Sequence, residues 1–270
     1  MSQLTQRVLT AVPLLGGLLL VLLVAPAWVA ALVAGLVMVL GAWEWSAFIG
    51  WQLPRLRAAY AGANALLLVA AAWLVPSVIA LEPVLYVALA WWALALLWIL
   101  RFPTPVPPAI AAVAGVLVLI PAWLALVAIL AVPGRGPVLA LLALCIVFAA
   151  DIGAYFAGRR FGRVKLAPQV SPGKTWEGLI GGVLLATLTA VAGGLQVGLP
   201  AASMLPVGLG IAALSVVGDL TESMFKRSVG AKDSGHLIPG HGGVLDRLDS
   251  ITAALPLFAL ALSWLGLTTG

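Results

Sequence analysis

Apolar runs of about twenty residues, parted by short polar breaks, follow one another along the chain. Nine can be counted, at roughly 8–25, 27–49, 58–81, 83–100, 109–132, 137–157, 176–198, 203–221 and 249–267. Each is long enough to cross a hydrocarbon core of ~30 Å as a helix. The runs are continuous rather than alternating, which argues for helices and against a β-barrel. Pro13, Pro76, Pro121 and Pro256 fall inside spans, where membrane helices accommodate them with local kinks. The pattern predicts an all-α, polytopic helical membrane protein with about nine transmembrane helices. Only two polar breaks have length and chemistry, at about 158–175 and 222–248. They divide the chain in function: residues 1–132, about five spans, are sparse in polar groups, and residues 133–270 carry both loops.

Composition agrees. Of 270 residues, 63% are hydrophobic and 9% charged, with mean hydropathy +1.17; a soluble domain is nearer half apolar and a quarter charged. The single cysteine, Cys145, can form no intramolecular disulfide and reads as a small packing residue. Arg7 and Ala25-Pro26-Ala27 imitate a cleavable signal, but the apolar pattern resumes at Trp28, so an uncleaved first helix is simpler. Net charge is +5, and its distribution matters more than its sum. With a cytoplasmic N-terminus and alternating spans, thirteen of the fourteen Lys+Arg fall on the cytoplasmic side and only Arg135 opposite. This positive-inside bias predicts that both polar loops, and hence the catalytic face, are cytoplasmic.

The second loop concentrates the chemistry. From Ser223 to Ser250 it holds both histidines, His236 and His241, with Lys226, Arg227, Lys232, Arg247, Asp233, Asp246 and Asp249. Ser215, Asp219, Glu222, Ser223 and Lys226 recur at three- and four-residue steps, which sets them on one helix face. Asp246 and Asp249 are three apart and open the last span. Either aspartate alone would read as a helix cap. Both together, with Asp219 and with Asp151 near the end of the sixth span, suit a hard cation such as Mg²⁺ bound by carboxylates and phosphate oxygens. The glycines of Pro239-Gly240-His241-Gly242-Gly243 permit tight turns and close approach of backbone N–H groups to an anion. Together these residues describe a metal–phosphate site. In the first loop, Ser171 or Thr175 is a candidate cap for the seventh helix. Lys174, at a helix N-terminus where the dipole disfavours a cation, is a candidate ligand contact. Glu44, between Trp43 and Trp45, reads either as an interfacial carboxylate with belt aromatics or as a partner for a basic residue of the site. Trp91 and Trp92 read as lipid-facing or packing residues.

The segment Ser223-x-x-Lys226-Arg227, Lys232-Asp233-x-Gly235, Ile238-Pro239-x-His241-Gly242-Gly243-Val244-x-Asp246-Arg247-Leu248-Asp249 resembles the long motif of the phosphatidate cytidylyltransferases, or CDP-diacylglycerol synthases. Asp151-x-x-Ala154-Tyr155-x-x-Gly158-Arg159-x-Phe161-Gly162 and Ser171-Pro172-Gly173-Lys174-Thr175-Trp176-Glu177-Gly178 resemble two further family segments, with Gly173 where a lysine is expected. The matches cover about 150–250. The resemblance implies a Mg²⁺-dependent nucleotidyltransferase of phospholipid biosynthesis in the bacterial inner membrane. It would convert CTP and phosphatidate to CDP-diacylglycerol and pyrophosphate. It implies one or two ions on Asp219, Asp246, Asp249 and Asp151. Lys226, Arg227, Lys232, Asp233, Asp246 and His241 are then expected at the reaction, and Ser171, Lys174, Thr175, Ser223, Gly242, Gly243, Arg247, Arg159 and Tyr155 at the substrates. A homodimer in the bilayer is implied; nucleic acid is not. Two other classes fit less well. A phospholipid-forming alcohol transferase needs an Asp-Gly, Ala-Arg and aspartate run that is absent. An ion-coupled transporter would carry its polar groups across the midplane, whereas here they crowd one face.

Overall fold

The computed structural model describes residues 3–77, 79–238 and 242–268. Among them the apolar runs form nine helices: α1 (Gln3–Leu23), α2 (Ala27–Trp45), α3 (Pro54–Ser77), α4 (Leu81–Ile99), α5 (Pro108–Leu130), α6 (Gly136–Phe161), α7 (Trp176–Gln196), α8 (Ala201–Ser228) and α9 (Asp249–Trp264). Seven of these, α2 to α8, are long and apolar enough to cross a membrane. The apolar part of α1, Val12–Leu23, and the 16-residue α9 are shorter.

The C-terminal helices make the densest part of the bundle: α6 packs on α7, α7 on α8, α8 on α9, and α9 against α5. Small residues let α6 and α7 approach at backbone distance. A Cβ placed at Gly153 would lie 2.5 Å from the carbonyl oxygen of Gly181, and one at Gly182 would lie 2.7 Å from that of Ala150. The glycines of the seventh span therefore serve packing within the chain. Most residues of α9 are buried, including Phe258 and Leu260.

Two departures from the sequence reading concern the loops. The helix of the eighth span runs on to Ser228, because nothing after Leu220 breaks it and its last turn welcomes Lys226 and Arg227 at the negative end of the dipole. Hydropathy ends near 221; the helix does not. The first loop is mostly structured: α6 continues to Phe161, and β1 (Lys165–Ala167) pairs antiparallel with β2 (Ser171–Thr175), Lys165 opposite Thr175.

At the end of the bundle that carries the polar loops, Phe225 of α8 is fully buried among aromatic rings. Its centroid lies 5.0 Å from Trp45, 5.8 Å from Trp98 and 6.3 Å from Phe48. This packing fixes the last turns of α8, and with them the residue that follows Phe225.

Candidate active site

The end of α6, the β2–α7 junction, the end of α8 and the start of α9 meet at one end of the bundle. Thr175 is the N-cap of α7: its Oγ1 accepts a hydrogen bond from Gly178 N at 3.1 Å. Of the two candidates Ser171 and Thr175, the cap is therefore Thr175. Capping sets Lys174, one residue earlier, beside α8, where its Nζ lies 2.6 Å from Asp219 Oδ2. Ser223, one turn further along α8, donates from Oγ to Asp219 Oδ1 at 3.3 Å. Asp151 of α6 and Asp249 of α9 both lie within electrostatic reach of Asp219 and Lys174. The α8–α9 approach is tight here, since a Cβ at Gly218 would stand 2.3 Å from the carbonyl oxygen of Asp249.

A second ion cluster sits one turn further out. Lys226 Nζ lies 2.7 Å from Asp246 Oδ1 and 3.2 Å from Glu222 Oε1. All three groups are largely buried, with side-chain exposures of 11%, 11% and 4%. Asp246 belongs to a single 3₁₀ turn, Leu245–Arg247, ahead of α9. Its Oδ2 accepts from Ser234 N at 3.1 Å, Ser234 Oγ at 3.0 Å and Gly243 N at 2.8 Å. Burial works to raise the Asp246 pKa, but the hydrogen bond from Lys226 and those from the Gly243 and Ser234 amides outweigh it. The carboxyl is held below the usual carboxylate range. Gly242 has φ +83°, a left-handed turn that an L side chain resists, and a Cβ there would also meet Asp246 Oδ2 at 2.8 Å.

The remaining expected residues lie around this centre. Arg159 donates to Tyr155 Oη at 2.7 Å on the exposed face of α6 that also carries Asp151. Arg227 is exposed and donates to Ala231 O at 3.1 Å, closing the turn after α8. Lys232, Asp233 and Arg247 are exposed, and Ser171 is half-buried on β2; Arg247 lies within electrostatic reach of Asp151. His241, with Pro239 and Gly240, lies outside the described residues.

Among the described residues no three His, Cys, Asp or Glu groups close on one point; Lys174 and Lys226 stand among the carboxylates instead. A hard cation that takes one or two protein carboxylates and completes its shell with phosphate oxygens and water fits this donor set.

Several sequence expectations need correction. Glu44 is buried within the bundle and has no cationic partner among the described residues. It is 1% exposed, and its Oε2 accepts from Leu245 N at 2.9 Å and Ser234 Oγ at 3.1 Å. No local signal links positions 190 and more apart. Trp45 is likewise buried, donating to Ala111 O at 2.8 Å rather than lining an interface. Trp91 and Trp92, by contrast, are packing residues as one of the two sequence readings has it, both buried. Cys145 is exposed on the outer side of α6 and packs no core. Glu222, a member of the predicted helix face but not assigned a role, proves to be a partner of Lys226.

The match to the cytidylyltransferase family covers residues 5–265. The chain is 45% identical over 273 residues to a Pseudomonas aeruginosa protein named phosphatidate cytidylyltransferase, with 97% of each chain covered. It is 39% identical over 290 residues to a Haemophilus influenzae protein of the same name, covering 95% of this chain and 97% of that one. A Bacillus subtilis protein of that name is 42% identical over 121 residues, 43% of this chain. With the polar clusters of α6, β2, α8 and α9 lying inside the matched residues, the chain belongs to the cytidylyltransferase family.

Proposed function

We propose that this chain transfers the cytidylyl group of CTP to phosphatidate, giving CDP-diacylglycerol and pyrophosphate. The observation that carries the reading is the 45% identity, along the full length of both chains, to a relative named for this activity. A phosphate oxygen of the lipid attacks the α-phosphorus of CTP. A new P–O bond forms, the bond from the α-phosphorus to the bridging oxygen breaks, and its electron pair leaves with pyrophosphate. The nucleophile is already ionised at neutral pH, so the protein needs no strong base. Its task is to bring anions together and neutralise their charge.

The chain's own residues supply this. Lys174, held beside Asp219 of α8, and Arg227, Lys232 and Arg247, on the exposed side, serve as phosphate contacts. Lys226 is buried and tied to two carboxylates, so its first task is to hold Asp246 and the turn before α9 against the end of α8. Asp219, with Asp151 and Asp249 within electrostatic reach, would hold Mg²⁺, which when bound would neutralise phosphate charge and steady the leaving group; Asp246, its Oδ1 engaged by Lys226, stands one turn further out. Tyr155 and Arg159 flank this position on α6.

In the same reading the helices sit in the bacterial inner membrane with the N-terminus and both polar loops cytoplasmic, supported by the one-sided distribution of Lys and Arg. The family resemblance is the support for a homodimer. The test is purified protein in mixed micelles with phosphatidate, CTP and Mg²⁺. CDP-diacylglycerol and pyrophosphate should appear in equal amounts, and neither when phosphatidate is replaced by diacylglycerol. Pyrophosphate release without lipid product would overturn the assignment.

A further inference from the structure

We propose that Glu44, on α2 in the half of the chain remote from the motif, is a positioning residue that holds Ser234 and the Leu245–Arg247 turn in their working places; this rests on the reading above. Three observations lead there. Glu44 is buried to 1% exposure with no cationic partner among the described residues, an expensive arrangement unless its acceptors are used. Its Oε2 takes two donors from opposite ends of the loop, Leu245 N at 2.9 Å and Ser234 Oγ at 3.1 Å. The loop is fitted to it at glycines: a Cβ at Gly235 would lie 2.2 Å from Glu44 Oε1, and one at Gly243 would lie 2.5 Å from Oε2 and 2.1 Å from Ser234 Oγ.

The consequence for the site runs through Ser234. Its Oγ stands 3.1 Å from Glu44 Oε2 and 3.0 Å from Asp246 Oδ2. The hydroxyl has one proton, so it donates to one carboxylate at a time and links the two. Leu245 N, the other donor to Glu44, is the backbone group next to Asp246. Glu44 therefore sets where the Asp246 carboxylate stands relative to Lys226, from a helix that carries none of the phosphate contacts proposed above. Its Oε1 has no hydrogen-bond partner among the described residues. Among the described residues Oε2 is thus the oxygen that carries the contacts to the loop.

The experiment compares wild type, Glu44→Ala and Glu44→Gln in micelles. It reads backbone hydrogen exchange without substrates, and kcat and KM with them. With the pin removed, Glu44→Ala should raise exchange at Ser234, Gly243 and Leu245 by about 10-fold or more, while α6 and α7 stay within about two-fold. Misplacing Asp246 should lower kcat about 10- to 100-fold, with KM for CTP changed only a few-fold. Glu44→Gln keeps an acceptor oxygen and should recover most of both losses. Unchanged loop exchange, a loss confined to KM, or a glutamine variant as impaired as alanine would each overturn the proposal. Should Glu44→Ala not fold, Ser234→Ala cuts the same link from the other side, and wild-type exchange and kcat in that variant would sink it. Exchange is read without CTP or phosphatidate. Loosening of the loop in a protein that made no CDP-diacylglycerol would therefore count against the preceding reading alone.

Discussion

Lys226 and Asp246, twenty positions apart, meet at 2.7 Å between Nζ and Oδ1, joining the last turn of α8 to the 3₁₀ turn that starts the final helix. Neither is exposed enough for water to replace the partner. Removing one partner of such a pair leaves the other charge buried and costs far more than an exposed pair would.

Asp246→Asn should therefore lower kcat/KM for CTP about 10- to 150-fold, the cost of one charge-assisted hydrogen bond. Steady-state kinetics on the folded variant, judged by size-exclusion profile, checks this. Near-normal turnover would make the Lys226–Asp246 pair incidental.

The same carboxylate gives a pH dependence of known sign. Its folded pKa is depressed, by Lys226 and two backbone amides acting against burial. The stabilisation is thus full above the unfolded value of about 3.9 and is lost as pH falls through the lower folded value. The Tm difference between wild type and Asp246→Asn in micelles should be constant from neutral pH down to about pH 5 and shrink only in stronger acid. A difference already fading between pH 7 and 5 would contradict the assignment.

Asp219→Asn should raise the Mg²⁺ concentration needed for half-maximal activity by about 10-fold or more, because an amide is a poor ligand for a hard cation. Lys174→Ala should instead lower kcat/KM with the Mg²⁺ midpoint moved little. Magnesium titrations of the two variants separate a ligand from a phosphate contact, and identical midpoints would remove Asp219 from the metal site.

Arg55 and Arg57 look alike as loop cations in the sequence but differ in the fold. Arg57 donates from Nη2 to Trp43 O at 3.0 Å and from Nε to Ser46 Oγ at 3.1 Å, and lies 4.8 Å from the Trp43 ring. It satisfies a carbonyl at the end of α2. Arg57→Ala should cost about 1 kcal/mol of stability, whereas the exposed Arg55→Ala should cost nothing measurable. Thermal unfolding in detergent reads both.

Gly218→Ala should cost about 1–3 kcal/mol and impair turnover, since the added methyl meets backbone of α9 that cannot step aside. Gly173→Ala, with no atom within 4 Å of its Cβ, is the matched control. Equal Tm values for the two would mean that α8 and α9 have slack.

Orientation is tested by Leu237→Cys in a Cys145→Ser background, because Leu237 is 50% exposed and Cys145 is the chain's only other thiol. In sealed right-side-out vesicles a membrane-impermeant maleimide should label it only after permeabilisation. Labelling of intact vesicles would invert the topology.

The spans were legible because crossing a bilayer demands length and apolarity, both local properties of sequence. Periodicity also placed Glu222 and Lys226 on one face of α8, and they do touch. Pairings across the chain were hidden. Nothing near Asp246 names Lys226 as its partner, and nothing near Glu44 names Ser234 or Leu245. The β1–β2 hairpin escaped because three residues, Lys165–Ala167, are too few to show an alternation. The contacts of Arg57 were hidden in the same way, because a loop cation and a helix-end donor have the same composition.

The shortness of α9 bears on how the two substrates arrive. Sixteen residues rise about 24 Å, against about 42 Å for the 28 residues of α8 and a hydrocarbon slab of ~30 Å. Asp249 stands against Gly218, and Arg227 lies nine residues further along α8, about 13 Å at 1.5 Å per residue, so the last helix opens well short of the height that α8 reaches. Under the proposed function, a lipid phosphate held in the leaflet would then meet the carboxylates from the side, and the exposed Arg227 and Lys232 would meet the nucleotide arriving from water.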